Sequence, residues 1–145
     1  MTTESGVVPA PSAPRVSASS DDAAIRATID DYYLGWYDAD GELMARALHP
    51  ELAKRGWLRN AAGEADLDVD TFQTMVDAAA AGHGRRSDAA ARRFDVSVGE
   101  VYGDIATATV HAVPYIDYLH LVRTPDGWRI VNALWRWSDG HGPRA

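Results

Sequence analysis

Two side chains that can exchange protons lie in a segment that is otherwise typical of a β-strand, YIDYLHLVR at residues 115–123. Asp117 and His120 are its acid and its imidazole, and both cost free energy when they are buried without partners. Because strand side chains alternate between two faces, Asp117 shares a face with Leu119 and Leu121, while His120 points the other way. The spacing therefore argues against an Asp–His pair in one cavity unless a β-bulge intervenes.

Asp117 is the stronger catalytic candidate of the two. Burial raises the pKa of a carboxyl group and a neighbouring cation lowers it, and either state can serve acid–base catalysis. The sequence leaves open a structural role, in which Asp117 pairs with Arg123, Arg129 or Arg136. A single strand histidine such as His120 commonly packs at a subunit interface or bonds a backbone group, so its case for chemistry is weaker.

Other kinds of chemistry have little support in the sequence. There is no cysteine, no G-x-S-x-G, no Walker motif and no dinucleotide fingerprint. His49, His111 or His120 could meet Asp117 in three dimensions, but no H-x-H or H-E-x-x-H spacing indicates a metal site. His49 could equally lie at a helix end, where a cation is favourable. We therefore predict neither a metal nor another cofactor.

The composition is that of a globular protein with an acidic surface. The chain has 145 residues, of which 46% are hydrophobic, and a formal net charge of −7. This charge disfavours nucleic acid and anionic membranes as partners. No apolar run is long enough to span a membrane and no signal peptide is recognisable, which favours a cytoplasmic location. Lys54 is the only lysine among the 14 basic residues, which indicates a general preference for arginine.

Three helices are predicted in the first part of the chain. The first begins near Ser20 or Asp21 and ends at the D-A-D-G segment, and a shorter one follows in GELMARALH. A third runs through DVDTFQTMVDAAAAGHG, where Asp70 and Gln73 form a capping-box pattern. The apolar face of the first helix consists of residues spaced three and four apart, namely Ile25, Ile29, Tyr32, Tyr33 and Trp36.

The second part of the chain is rich in predicted strands. LAKRGWLRN holds a short strand or an irregular crossing, AAGEADLD is a polar loop and RRSDAAA is a connector. Four strands follow in RRFDVSVGEVY, DIATATVHAV, YIDYLHLVR and WRIVNALWRW; Pro114 separates the two middle ones as a hairpin, and TPDG predicts a turn. Helices followed by antiparallel strands predict an α+β fold with helices on one face of a curved sheet. The predicted domain spans residues 21–138, with a flexible tail at 1–20 and a C-terminal tail at 139–145.

Three stretches carry a resemblance to a known family: IDDYYLGWYDADGELMARALHPELAKRG, IDYLHLVR and DGWRIVNALW. They resemble the putative lumazine-binding family of the nuclear transport factor 2-like superfamily, which also holds SnoaL-like polyketide cyclases and ketosteroid isomerases. The resemblance covers about residues 22–137. It implies a cone-shaped fold in which a strongly bent sheet surrounds a pocket closed by helices. It also implies a homodimer formed through the outer face of the sheet.

The resemblance also assigns site residues. Ketosteroid isomerases line their oxyanion hole with a first-helix tyrosine eight residues before an aspartate, and counting back from Asp40 gives Tyr32. Their second oxyanion donor is an aspartic acid in the strand before the last, where Asp117 lies. Their general base would fall near Arg55 and Gly56, where this chain has no carboxylate, so steroid isomerisation by that mechanism is not implied. The same relative places Trp135 in the pocket, with His120 and Asn132 outside it.

The resulting hypothesis is an enzyme of secondary metabolism that acts by acid–base chemistry on a small hydrophobic, carbonyl-bearing molecule. The reaction would be a cyclisation, isomerisation, dehydration or epoxide opening, with Asp117, Tyr32 and His120 as catalytic candidates. The alternatives are a carrier for an aromatic or heteroaromatic ligand and a dimeric scaffold. The predicted substrate-binding residues are mainly aromatic and basic side chains: Trp36, His49, Lys54, Arg55, Trp57, Tyr115 and Trp135.

Overall fold

The computed structural model describes residues 18–143, which form three α-helices, a short 3-10 helix and six strands. The helices are α1 (Ala18–Tyr37), α2 (Gly41–Ala47), α3 (Phe72–Ala80) and the 3-10 helix Ala89–Arg92. The strands are β1 (Leu48–Arg59), β2 (Ala65–Asp70), β3 (Phe94–Tyr102), β4 (Ile105–Ala112), β5 (Tyr115–Thr124) and β6 (Gly127–Trp137). Of the predicted N-terminal tail, residues 1–17 lie outside the described part, whereas 18–20 belong to α1.

The six strands form one open sheet in the order β2-β1-β6-β5-β4-β3. All neighbouring strands are antiparallel except β1 and β6, which run parallel. The sheet is therefore mixed, where the sequence predicted antiparallel pairing alone. Helix α1 packs against both β6 and the edge strand β3, so the sheet must curve around it, and α3 packs against β1. The predicted α+β architecture, with helices on one face of a curved sheet, is confirmed.

Helix α1 packs against the sheet through one apolar face. Its buried positions recur at spacings of three and four, as one apolar helical stripe requires. Its end is marked by Ala39 at φ 57°, after which the Asp40 side chain accepts a hydrogen bond from the Leu43 backbone and caps α2. The predicted inward residues are confirmed, and Tyr37 joins them; the buried ones are Ile25, Ile29, Tyr32, Tyr33 and Tyr37.

Two hairpins join β5 to its neighbours in the sheet, β4 and β6. The β4–β5 hairpin turns at Pro114, and the β5–β6 hairpin turns at Thr124–Gly127, where Gly127 has φ 115°. Both turns were predicted. Along β5 the side chains of Asp117, Leu119 and Leu121 are buried, while His120 is exposed. No bulge lies between Asp117 and His120, so the two point to opposite faces.

Two local predictions are wrong and a third is incomplete. The segment LAKRGWLRN does lie in a strand, which was one of its two predicted alternatives, but this strand, β1, is longer than predicted, with 12 residues. Part of the predicted polar loop is β2, which pairs with β1 but buries almost none of its side chains and so gave little hydrophobic signal. The capping box is formed by Thr71 and Thr74, one residue after the predicted Asp70 and Gln73, because the helix begins at Phe72.

Candidate functional site

A cavity of about 460 Å³ lies between the helical layer and the inner face of the sheet. Its volume falls within the range of clefts that bind small molecules. Helix α1, helix α3, four strands and the segment after α3 contribute to it. Its lining is mainly aromatic with a few charged groups, and consists of Tyr32, Tyr33, Trp36, Lys54, Asp68, Asp70, Met75, Ala78, His83, Arg86, Tyr115, Asp117, Trp135, Trp137 and Pro143.

The acidic group of the cavity is the Asp117 carboxyl, which is only 3% exposed. The Tyr33 hydroxyl donates a hydrogen bond of 2.8 Å to its Oδ2 atom. The Tyr33 ring is fixed in turn by stacking on Phe94, with ring centroids 4.8 Å apart. The other oxygen, Oδ1, is buried and has no hydrogen-bond partner among residues 18–143. Buried polar atoms without partners are rare, so this oxygen has free capacity for a ligand.

Burial is the main influence on the ionisation of Asp117. It raises the pKa of the carboxyl group above its ordinary value of 3.8, because the charged form loses its hydration. The positive charge of Lys54 and the hydroxyl groups of Tyr33 and Tyr32 act in the opposite direction and lower the pKa. Burial outweighs them, so Asp117 is a stronger base when ionised than an exposed aspartate.

The basic group of the cavity is Lys54, which β1 carries to the side of α1. Its Nζ atom donates a hydrogen bond of 2.5 Å to the Tyr32 hydroxyl. It also lies 5.1 Å from the centroid of the Tyr32 ring and 5.5 Å from that of Trp135. Burial lowers the pKa of Lys54, while the negative charges of Asp117, Asp70 and Asp68 partly offset this. Burial also raises the pKa values of Tyr32 and Tyr33 well above 10.0, so both hydroxyls keep their protons.

An aromatic cluster adjoins these groups on β5 and β6. Tyr115, Trp135 and Trp137 meet pairwise with ring centroids 5.1–5.4 Å apart. The Trp36 indole donates a hydrogen bond of 3.1 Å to the Tyr115 hydroxyl and joins α1 to this cluster. Flat aromatic surfaces of this kind bind flat ligands well, since stacked and edge-to-face contacts are both available.

Two glycines allow the indole rings to lie where they do. A Cβ atom on Gly84 would come within 2.2 Å of the Trp36 ring. A Cβ atom on Gly56 would come within 2.7 Å of Trp135 Nε1. Both distances are shorter than real carbon contacts, so a larger residue at either position would displace an indole ring. Glycine at these positions therefore maintains the shape of the cavity.

Charged side chains from β2 and from the segment after α3 complete the lining. Asp68 and Asp70 come from β2, and His83 and Arg86 follow α3. The Arg86 guanidinium lies 6.0 Å from the Tyr115 ring centroid, and its buried Nε atom has no hydrogen-bond partner within the described part of the chain. The sequence did not predict these four residues for the site, and its pattern placed Tyr33 on the inner face of the first helix without assigning it to the site. The only available signal was the alternation of acidic and apolar residues in ADLDVD.

Six of the ten residues predicted for the site line this cavity: Asp117, Tyr32, Trp36, Lys54, Tyr115 and Trp135. The structure does not bring the other four to it. Arg55 and Trp57 alternate along β1 with Lys54 and are exposed, Trp57 to 52%. His49 lies at the start of β1, where its Nδ1 atom accepts a hydrogen bond from the Glu51 backbone.

His120 lies on the outer face of the sheet. Its Nδ1 atom is 3.2 Å from the Nδ2 atom of the Asn132 side-chain amide. This is the face on which the resemblance had placed both residues. The predicted alternative in which Asp117 pairs with an arginine is wrong, because its carboxyl group accepts a hydrogen bond from Tyr33 and the three candidate arginines have other partners. Arg123 pairs with Asp21, Arg136 pairs with Asp139, and Arg129 donates to the Trp128 carbonyl.

Among residues 18–143, no group of three or more His, Asp or Glu side chains is arranged to hold a metal ion. In the same range, no helix has both the length and the apolar character needed to cross a membrane.

A family model described as putative lumazine-binding matches residues 20–136 of the chain. The chain belongs to this family. The resemblance seen in the sequence is thereby confirmed. No curated protein matches the chain.

Solved structures similar to this member of the putative lumazine-binding family share its fold. A nuclear transport factor 2-like protein of unknown function from Silicibacter pomeroyi is 20% identical, with a TM-score of 0.65, over 84% of this chain and 99% of that one. One from Shewanella baltica is 14% identical, with a TM-score of 0.64, over 86% and 98%. A protein of unknown function from Mycobacterium tuberculosis is 20% identical, with a TM-score of 0.61, over 87% and 76%. The chain therefore has the predicted nuclear transport factor 2-like fold.

Proposed function

We propose that the chain is an enzyme that acts by acid–base chemistry on a small, flat, carbonyl-bearing molecule held in the cavity. One observation carries this proposal. A buried carboxyl group with a free oxygen, Asp117, lines the same cavity as a buried amine that is hydrogen-bonded to a tyrosine hydroxyl, Lys54 with Tyr32. Burial raises the pKa of the carboxyl group and lowers the pKa of the amine, and perturbed pKa values of this kind cluster at functional sites.

The chemical roles follow from the contacts of these groups. Asp117 Oδ1 would remove a proton from the carbon next to the ligand's carbonyl group, since burial makes its carboxylate a stronger base. The negative charge would then develop on the carbonyl oxygen. The Tyr32 hydroxyl, which keeps its proton and is polarised by Lys54, would donate a hydrogen bond to this oxygen. Fixed donors at a developing oxyanion are among the largest contributions to catalysis.

The aromatic wall defines the shape of the ligand that we propose. A flat ring system can stack against Tyr115, Trp135 and Trp36, while Tyr32 and Lys54 meet its polar edge. The family description as putative lumazine-binding agrees with a flat bicyclic ligand. The reaction would then belong to the isomerisation, cyclisation, dehydration or epoxide-opening class, each of which can begin with a proton transfer. A place in secondary metabolism remains part of this proposal.

A second candidate function is binding without turnover. It is favoured by the position of Asp117, which is 3% exposed and adjoins the hydroxyl groups of Tyr32 and Tyr33. A flat ligand could occupy the aromatic part of the cavity without reaching the carboxyl group. In that case the chain would be a carrier for an aromatic or heteroaromatic molecule.

We also propose that the protein is a homodimer formed through the outer face of the sheet. We propose further that the chain functions as a single domain and that the protein is cytoplasmic. Large apolar side chains are exposed on this face, including Tyr118 (56%) and Leu134 (45%), with His120 beside them. Contiguous exposed apolar surface commonly marks an interface between proteins. Analytical ultracentrifugation tests this: a monomer at micromolar concentration would contradict it, and Leu134→Arg should dissociate the dimer.

The test of the proposed enzyme activity is hydrogen exchange in a simple ketone. 2-Tetralone is a bicyclic ketone with one flat aromatic ring, and the hydrogen atoms next to its carbonyl group exchange for deuterium in D₂O, which ¹H NMR follows directly. We expect the wild-type protein to accelerate this exchange. Asp117→Asn should lower the acceleration roughly 10²–10⁴-fold, the usual contribution of a positioned general base.

The matched control is Asp126→Asn, which removes an exposed carboxylate in the β5–β6 turn far from the cavity in the fold. It should exchange 2-tetralone as the wild type does. Circular dichroism checks that each variant is folded. A folded Asp117→Asn variant with the full exchange rate would refute the role of Asp117. Tight binding of 2-tetralone without accelerated exchange would favour the carrier.

A further inference from the structure

The single lysine of the chain is found in the cavity. The sequence has 14 Lys and Arg residues, and 13 of them are arginine. Lys54 is 9% exposed and is buried in the cavity lining, where it faces two aromatic rings. A general preference for arginine accounts for the other basic positions, but it does not explain why residue 54 is a lysine. We therefore ask which property of a lysine side chain, absent from arginine, is useful at this position.

That property is the ability to lose its proton. The guanidinium group of arginine stays charged in proteins, whereas a buried lysine amine can become neutral and act as a nucleophile. Burial lowers the pKa of Lys54 and so increases the neutral fraction. The amine is also free of a permanent ion pair, because no carboxylate of residues 18–143 forms a salt bridge with it.

The surroundings of the Nζ atom suit a bond to carbon. Nζ is fixed by its hydrogen bond to the Tyr32 hydroxyl and lies near the faces of two rings, those of Tyr32 and Trp135. A flat carbonyl compound stacked on this aromatic surface would bring its carbonyl carbon to the amine. Asp117, with a free oxygen, lines the same cavity and can take up or supply a proton.

We propose that Lys54 forms a covalent imine with the carbonyl carbon of an aromatic ketone or aldehyde bound in the cavity. This inference rests on the proposed function for the carbonyl-bearing class of the ligand, and it adds a covalent step. The neutral amine attacks the carbonyl carbon, a C–N bond forms and the C=O π electrons move to oxygen. That oxygen takes a proton from the Tyr32 hydroxyl, which is restored by a proton from the nitrogen.

The carbinolamine then loses water to give the imine. A proton carried by Asp117 converts the hydroxyl group into water, the C–O bond breaks, and the nitrogen lone pair forms C=N. This step leaves a protonated imine and an ionised Asp117. Return of the proton to Asp117 gives the neutral imine, so that overall one carbonyl compound and one amine give one imine and one water, with no change in oxidation state. The protonated imine makes the neighbouring C–H more acidic, so Asp117 can remove that proton more readily than from the ketone.

The experiment traps the imine with a reductant. The full-length protein is incubated with 2-naphthaldehyde and sodium cyanoborohydride, which reduces C=N to a stable amine. Intact-mass spectrometry then counts the naphthylmethyl groups, and peptide mapping locates them. The assignment is simple because the α-amino group of the chain is the only other amine in the sequence. Quenching of tryptophan fluorescence, measured without the reductant, reports aldehyde binding separately.

We expect one group on Lys54, formed at least tenfold faster than on the α-amino group of the same molecules. This internal comparison requires no variant. Lys54→Arg, which keeps the charge, and Lys54→Met, which keeps much of the length, should bind the aldehyde without incorporating the group in the cavity.

Two results would overturn the inference in different ways. Binding of the aldehyde in the cavity with modification only at the α-amino group would refute the imine and leave the proposed acid–base function standing. An aldehyde that neither quenches tryptophan fluorescence nor modifies Lys54 would refute the imine. It would also refute the proposal that the ligand carries a carbonyl group, on which the proposed function depends.

Discussion

Replacing Asp117 by asparagine should change how the stability of the protein depends on pH. The two side chains have the same shape, and an amide oxygen can still accept the 2.8 Å hydrogen bond from Tyr33. The variant lacks only the ionisable group. The informative quantity is therefore the difference in the free energy of unfolding between variant and wild type, measured as a function of pH.

The sign of this difference follows from the direction of the pKa shift. Burial raises the pKa of Asp117 above 3.8, so the folded protein holds this proton more tightly than the unfolded chain does. Between the two pKa values, wild-type stability falls as pH rises, by at most about 1.4 kcal/mol per pH unit for one proton. Above the pKa that Asp117 has in the folded protein, this loss of stability has reached its full value and no longer changes with pH. The asparagine variant has no such loss, so its stability relative to wild type should rise through this window and then level off.

Urea denaturation followed by tryptophan fluorescence between about pH 4 and pH 7 measures the difference. Asp126→Asn, in the exposed β5–β6 turn, corrects for the removal of one negative charge from the protein. A stability difference that falls as pH rises would refute the reasoning, because it would mean that Lys54 stabilises the carboxylate enough to lower its pKa. A difference that does not vary with pH would show that burial does not shift the pKa of Asp117.

Three further predictions concern the walls of the cavity. Gly84→Ala should destabilise the protein by roughly 1–3 kcal/mol and change its near-ultraviolet circular dichroism, because the new Cβ would lie 2.2 Å from the Trp36 ring. The control variant Gly142→Ala should do neither, because a Cβ atom at that position would have no atom within 4 Å. Equal effects of the two substitutions would contradict this prediction. Thr71→Ala should cost about 1 kcal/mol in thermal unfolding through loss of the α3 cap, and an unchanged midpoint would count against the capping box. Tyr33→Phe should cost about 1–3 kcal/mol by urea denaturation near neutral pH, since it removes the hydrogen bond to the cavity carboxyl group; a stability equal to wild type would mean that this bond contributes nothing.

The parts of the site that sequence could predict depend on regular periodicity. The alternation of side chains along β5 placed Asp117 inside and His120 outside, and the structure agrees. The three-and-four spacing in α1 placed Tyr32 and Trp36 on its inner face. These predictions succeeded because a strand or a helix repeats its geometry over many residues, so one buried position determines the others.

The missed parts depend on contacts between distant segments. Strand β1 pairs in parallel with β6, and no local feature of the β1 sequence predicts that pairing. Without its register, alternation could not separate Lys54, which faces the cavity, from Arg55 and Trp57, which are exposed. Strand β2 buries almost no side chains and resembled a loop, so its two cavity-facing acids were not anticipated. His83 and Arg86 lie in irregular chain, to which no periodicity applies.

A crystal structure of the protein with 2-naphthol tests the proposed ligand site, because this flat phenol resembles the enol of 2-tetralone. We expect the naphthalene rings to stack among Trp36, Tyr115 and Trp135. We also expect the hydroxyl oxygen to lie within hydrogen-bond distance of the Tyr32 hydroxyl or Lys54 Nζ. A naphthol molecule bound on the outer face of the sheet, or in the cavity with its hydroxyl group turned away from both, would contradict the proposed site.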